Sequence, residues 1–320
     1  MSADPVRELA DAVLYEGYIL WPYRRSALKN RQRWTFGGVY PRGHSEGRED
    51  DPWLMRTECL LRGGDAAELD VRVRFLHVVR RQLFDQGEPV DELTIDGERH
   101  ISWEEATERE LAAPAGGVTS LSFPADRVEE PLGPDAVVVR SWEGLEGHVE
   151  VRSERLRDDL ERVTVEVANT SPWPGGTRED AQERTFNSTH AVLRAPAGEF
   201  VSLTDPPEEL REEAQACRNE GVWPVLVGEP HERGTVLASP IILEDHPRIA
   251  PESPGDLFDG GEIDQMLVLN ILSLTDEEKA EMRASDPKAR EILDRTEALS
   301  EDEMMSLHGA IRDLQQVRPV

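Results

Sequence analysis

The apolar residues of this chain change their period once, near residue 240, and that change constrains the fold more than any other feature. In ELDVRVRFLHVVRR, Leu69, Val71, Val73, Phe75, His77 and Val79 share one face, against Asp70, Arg72 and Arg74 on the other, which is the pattern of a half-buried strand. Beyond residue 262 the apolar residues recur at helical spacing. Between the two regimes lie Glu244-Asp245-His246-Pro247, then Pro251, Pro254, Gly255, Gly260 and Gly261, a composition that breaks both strand and helix. The chain therefore reads as a β-rich body over residues 1–245 that begins with a short helix, a Pro/Gly-rich hinge over 246–261, and an acidic helical segment over 262–320.

Within the body, VTSLSF, AVVVRSW, HVEVRSERL, ERVTVEVANTS, STHAVLRAP, EFVSL, WPVLV and TVLASPIIL each read as a strand, as does WLMRTECLLRG. Regular helices do not separate them, which disfavours a parallel βαβ sheet and favours an antiparallel sandwich or barrel. The expected class is α+β, an antiparallel β-rich body with a C-terminal helical segment. Asp96-Gly97 predicts a tight hairpin joining TI to ERHIS. Trp103 to Leu111 reads as one or two helical turns, and PPEELREEAQACRN, residues 206–219, as an amphipathic helix.

Helix starts are marked by cap chemistry. Asp4 followed by Pro5 opens a helix over residues 4–14, and Asp286-Pro287 repeats the device in the tail. Thr275-Asp276-Glu277-Glu278 and Ser300-Glu301-Asp302-Glu303 fit the capping box. These signals predict tail helices over 276–284, 287–298 and 301–315. Ahead of them GEIDQMLVLNILSL is apolar nearly all round and should anchor the tail to the body.

A length of 320 residues suggests about two domains. With 32% charged residues, no apolar run of about 18, and no basic-then-apolar N-terminal leader, the expectation is a soluble cytoplasmic protein. Cys59 and Cys217 belong to no CxxC pair and read as reduced, structural thiols. A net charge of −29 repels nucleic acid and anionic membranes, so partners should be proteins or cations. No phosphate loop, GxGxxG, GxSxG or HExxH occurs, which leaves nucleotide, serine-hydrolase and zincin chemistry unsupported.

Against this acidic background LYEGYILWPYRRSALKNRQRWTFGGVYPR stands out. From Gly17 to Ser45 it carries six basic residues and no acidic one, and all four tyrosines of the chain lie in it. Two readings stand. In one, YILWPY and RWTFGGVY are strands joined by a basic loop whose arginines pair with carboxylates of the same chain. In the other the stretch is a docking surface, with Trp21, Tyr23, Arg24, Arg25, Lys29, Arg31, Arg33 and Trp34 as partner contacts, because Tyr, Trp and Arg supply most hot-spot energy. From Glu262 to Asp313 the tail carries 14 acids and 6 bases, so the two regions could also bind each other within one molecule.

Histidines beside carboxylates are the only metal-like feature. His190, Asp245 and His246 form the candidate ligand set, with Glu244 and the Glu229–His231 pair nearby in sequence, although no spacing forces them together. A bound metal is thus the one cofactor to consider, and a metal-dependent enzyme the alternative to a binding protein. His77, on the apolar face of its strand, reads as a hydrogen-bonded core histidine.

The basic aromatic stretch, together with ASPIILEDHPRIAPESPGDLFDGGEIDQMLVLNILSLTDEEKAEMRASDPKAREILDR, resembles segments of uncharacterised proteins encoded beside actinobacterial-type nickel–iron hydrogenases. The resemblance covers most of the chain and implies a non-catalytic accessory role in maturation or assembly of such an enzyme. It implies contacts with hydrogenase subunits or maturation factors and assigns no catalytic residue.

Overall fold

The structure is a computed structural model that describes residues 4–27, 30, 33, 34, 36–248 and 264–300. Lys29, Arg31, most of the predicted hinge and the expected helix over 301–315 lie outside the described residues. The strands are, in chain order, β1 Leu54–Arg62, β2 Asp70–Asp85, β3 Glu88–Val90, β4 Glu92–Ile95, β5 Glu98–Ile101, β6 Trp103–Ala112, β7 Gly117–Phe123, β8 Asp126–Pro131, β9 Ala136–Trp142, β10 Leu145–Arg157, β11 Leu160–Asn169, β12 Asn187–Arg194, β13 Glu199–Val201, β14 Trp223–Leu226 and β15 Thr235–Ser239. The helices are α1 Pro5–Tyr15, α2 Arg42–Ser45, α3 Arg178–Gln182, α4 Arg211–Gln215, α5 Asp264–Leu272, α6 Asp276–Ser285 and α7 Pro287–Glu297.

All ladders are antiparallel. One sheet runs β13-β1-β11-β10-β7; the other runs β14-β15-β12-β2-β9-β8, with β3 and β6 also paired to β2. The long strand β2 is the spine of the larger sheet. One of its edges is taken by β12 up to Leu76 and by β9 from Arg80, while the opposite edge is taken by β6 and then β3. The inner faces meet in a core that includes Val71, Val73 and Phe75 of β2, Val149 and Val151 of β10, and Val163, Val165 and Val167 of β11. This is the expected antiparallel sandwich carrying C-terminal helices.

A third layer covers the outer face of the larger sheet. From Arg74 the alternation of β2 stops: Arg74 is itself buried, and Leu76 and Val78 point outward and are buried there. They pack with Tyr18, Ile19, Tyr23 and Trp34 of the basic aromatic stretch and with Leu267, Val268, Ile271, Met282, Ile292 and Leu293 of α5, α6 and α7. At roughly 1.5–3 kcal/mol for each fully buried aliphatic side chain, that cluster fastens the tail to the body. The caps of the tail form as expected: Thr275 and Glu278 complete a capping box, and Asp286 accepts from the amide of Lys288.

Three local expectations are corrected. Trp103–Leu111 is strand β6, because ten registers of pairing with β2 override the helix-forming Glu and Ala content. Residues 206–219 hold only a 3-10 turn at Glu208–Leu210 and α4. Among the described residues neither YILWPY nor RWTFGGVY forms a strand; Val39 makes an isolated bridge, to Phe186. Tyr23 and Trp34 instead adopt positive φ, 57° and 63°, conformations a bulky residue holds only where its surroundings over-determine it.

Candidate functional site

The basic aromatic stretch divides into an inward half and an outward half. In the first, Asn30 acts as a bracket: its Oδ1 accepts from the amide of Leu20 at 2.8 Å, and its Nδ2 donates to the carbonyls of Leu20 and Arg24 at 2.9 and 3.0 Å. The loop so closed delivers Arg33 into the outer layer, where it is 7% exposed. Its guanidinium carbon lies 4.8, 4.6 and 4.2 Å from the ring centres of Tyr18, Trp34 and Trp103. Nε donates to the carbonyl of Tyr18 at 2.8 Å and Nη1 to that of Glu104 at 2.7 Å, while Nη2 has no partner. Among the described residues no carboxylate pairs with Arg33.

The other residues of this half tie the body to its neighbours. Arg24 pairs with Glu278 of α6 at 3.0 Å and the hydroxyl of Tyr18 donates to Asp286 at 2.6 Å; beside them Arg81 of β2 donates to the carbonyls of Ala284 and Ser285. The basic stretch and the acidic tail therefore do bind each other within the molecule. Arg25 reaches Asp91 at 2.9 Å. Tyr23, Arg33 and Trp34 are buried, so in this fold they offer no contact to a partner, whereas Trp21, Arg24 and Arg25 are partly exposed. Between the stretch, the β4–β5 hairpin and β6 opens a cavity of about 830 Å³ whose wall includes Arg25, Arg33, Arg80, Arg81, Arg99 and Trp103.

The outward half begins at Phe36. Residues 36–39 run beside 186–189, fixed by bonds from Ser188 N to Phe36 O, Thr189 N to Gly37 O and Val39 N to Phe186 O. Gly37 has φ +56°, and a Cβ there would lie 2.7 Å from Cβ of Pro240, so the turn admits only glycine without strain. The result is a cleft of about 220 Å³ bordered by Phe36, Trp223, Pro240, Tyr40 and Arg178. Phe36 is 39% and Trp223 44% exposed, unusual for side chains of their size within this chain.

Beneath the cleft a polar network sets its walls. Arg178, placed at the start of α3 by the capping box of Thr177 and Asp180, donates Nε and Nη2 to Asp51 at 3.0 and 2.9 Å. Asp51 is also 2.9 Å from Nε2 of His44. Burial pushes the pKa of Asp51 up, but the bonds from Arg178 and His44 outweigh it and hold the carboxyl below its ordinary value. The hydroxyl of Tyr40 donates to Gln182 at 3.1 Å, and burial beside Asp51 pushes its pKa up to about 12. Arg178, Trp223 and Trp103 were not singled out by the sequence. The one available signal was the Thr-Arg-Glu-Asp capping pattern ahead of α3.

The candidate metal residues are not brought into one group. His190 is fully buried on β12, its Nδ1 at 3.1 Å from the carbonyl of Ser188 and its Nε2 without a partner. Burial drives its pKa down to about 4. Asp245 and His246 serve the edge of β14 instead: Asp245 accepts from Ser202 and from the amide of Leu226, and the amide of His246 donates to the carbonyl of Leu226. Nδ1 of His246 meets the carbonyl of Gly228 at 3.2 Å. Among the described residues no three His, Cys, Asp or Glu side chains are grouped to hold a metal ion.

His77 is the core histidine its strand position suggested. Nε2 lies 2.9 Å from the carbonyl of Glu143 and Nδ1 3.4 Å from Nη2 of Arg109, so Nε2 donates, Nδ1 accepts and the ring is neutral. Burial, then the charge of Arg109, lowers its pKa to about 4. Burial likewise pushes both thiols, Cys59 and Cys217, upward, away from nucleophilic reactivity. No helix among the described residues is long and apolar enough to cross a membrane. Compared with known proteins, the chain matches no family model and no curated sequence.

Proposed function

We propose that this chain is a non-catalytic accessory protein that acts by protein–protein contact, with subunits or maturation factors of a nickel–iron hydrogenase as its partners. The cleft at Phe36, Trp223 and Arg178 carries the docking reading. Two large aromatic side chains stand exposed beside a guanidinium that Asp51 holds in place, over a backbone that Gly37 and Pro240 make rigid. Exposed aromatics and Arg around a preformed pocket are the composition of an interface anchor, and a volume of about 220 Å³ suits one bulky partner side chain. The hydrogenase identity rests on the sequence resemblance alone.

The test is a pull-down from the native host with the full chain as bait, comparing wild type with the double variant Phe36→Ala, Trp223→Ala. Hydrogenase subunits or maturation factors should be retained by wild type and lost by the variant at an unchanged melting temperature. Recovery of no hydrogenase component by wild type removes the assignment, and retention by the variant moves the interface elsewhere.

A further inference from the structure

We infer that the outer edge of β7 is a self-association surface, at which a second copy of this chain pairs antiparallel about a two-fold axis through Ser120. β7 ends the smaller sheet: it bonds to β10 on one side, and among the described residues no second strand pairs with it. A strand paired on one side turns every second N–H and C=O outward, a row able to take another strand. The other sheet edges are guarded. β8 carries Asp126, Arg127, Glu129, Glu130 and Pro131, and β6 is charged along its length. β3 contains Pro89 and β13 is three residues long. β14 holds Pro224 and is closed at Leu226 by Asp245 and His246. Charge, proline and shortness are the devices that stop strand-to-strand association. β7 uses none of them: Gly117–Phe123 is seven residues without charge or proline, in a chain of which 32% is charged.

The core is also incompletely covered on this side. Of the apolar residues that pack on it while only partly buried, Leu111 lies on β6, Ala115 in the link to β7, and Phe123 on β7 itself. Val118 of the same strand is 62% exposed. A strand added at β7 extends the sheet over this side. The occupant is a second copy because the strand is its own complement. Reversal about Ser120 opposes Val118 to Ser122 and Thr119 to Leu121, overlaps all seven residues, and sets no charge opposite a charge. That condition matters for a chain with a net charge of −29. The carboxylates that flank the strand, Glu146 and Glu150, lie on β10 beside Ser122 and Val118. Across the axis they are three strand spacings from their counterparts, about 14 Å, which is beyond the screening length at physiological salt. With the other edges guarded, the two-fold pair uses the open edge of both copies and closes at two.

The inference is independent of the docking role. It is tested by sedimentation equilibrium of the full-length protein at concentrations up to about 100 μM. Wild type is compared with Ser120→Lys, with Ser120→Glu, and with an equimolar mixture of the two variants. Each variant alone sets like charges opposite each other at the axis, whereas the mixture sets opposite charges there. Wild type should dimerise, each variant should weaken the dimer about fivefold or more, and the mixture should recover it. Net charge alone gives a different pattern, because on an acidic chain it lets Lys strengthen association and only Glu weaken it. Recovery in the mixture also shows that both variants fold. Wild type that stays monomeric overturns the inference, as do association beyond two copies, a dimer that either variant leaves intact, and a mixture that does not recover the dimer.

Discussion

Acidification from pH 7.5 to 5.0 should cost this fold stability through two buried rings, His77 and His190. Both have pKa values near 4 against an ordinary 6.5, chiefly because burial disfavours the charged form. Arg109 faces His77; Arg74 and Arg7 add to the repulsion at His190, while Glu108 opposes it. A histidine whose folded pKa is lowered binds fewer protons folded than unfolded. Its contribution is therefore complete above 6.5 and is lost as the pH falls from 6.5 towards 4. Linkage between those two values gives a loss of about 2 kcal/mol for each ring at pH 5.0, or about 4 kcal/mol for both. Glu183, whose pKa burial raises, works in the opposite direction, so the informative quantity is a difference between variants. Urea denaturation at the two pH values should be run on wild type, His77→Gln, which keeps a donor for the carbonyl of Glu143, and His190→Asn, which keeps one for Ser188. Whatever each variant costs at pH 7.5, its loss between the two pH values should be about 2 kcal/mol smaller than that of wild type. An unchanged loss in both variants would refute the reasoning.

Asp286→Ala removes both the cap of α7 and the acceptor of the buried Tyr18 hydroxyl, and should cost about 2–4 kcal/mol in urea denaturation; a loss under about 1 kcal/mol would mean that the tail is not fastened there. Arg24→Ala should cost less than about 1 kcal/mol, because its pair with Glu278 is partly solvated, whereas Arg33→Met should cost about 3 kcal/mol or more through lost ring and carbonyl contacts. Equal costs for the two arginines would contradict the contrast between the partly solvated tie of Arg24 and the buried strut of Arg33. Gly37→Val should lower the melting temperature, since it combines a left-handed φ with a collision at Pro240; an unchanged melting temperature would show that the cleft wall is pliable.

The sandwich was legible because its strands bury one face and expose the other. In β11 Val163, Val165 and Val167 alternate and all enter the core. The Asp96-Gly97 turn was legible because few residues other than these accept φ of 51° and 84° in succession. What escaped involved contacts from outside the segment. Periodicity ranks Leu76 and Val78 as apolar but cannot say that α5 to α7 will cover them. WEEATERELA carries helix formers, and only pairing with β2 makes it a strand. The aromatic stretch was misread locally for a similar reason. Its conformation is set by Asn30 and Arg33 bonding to distant carbonyls and by stacking on Trp103, not by propensity. The cleft escaped entirely, since Phe36, Arg178 and Trp223 are far apart in sequence.

We propose that this chain assists a nickel–iron hydrogenase through the Phe36–Trp223 cleft. The most direct measurement is hydrogenase assembly in the native host after deletion of this protein, complemented with wild type or with the Phe36→Ala, Trp223→Ala double variant at equal expression. Assembled, active hydrogenase should fall on deletion, return with wild type and not return with the variant. Full assembly in the deletion strain, or full rescue by the variant, would contradict it.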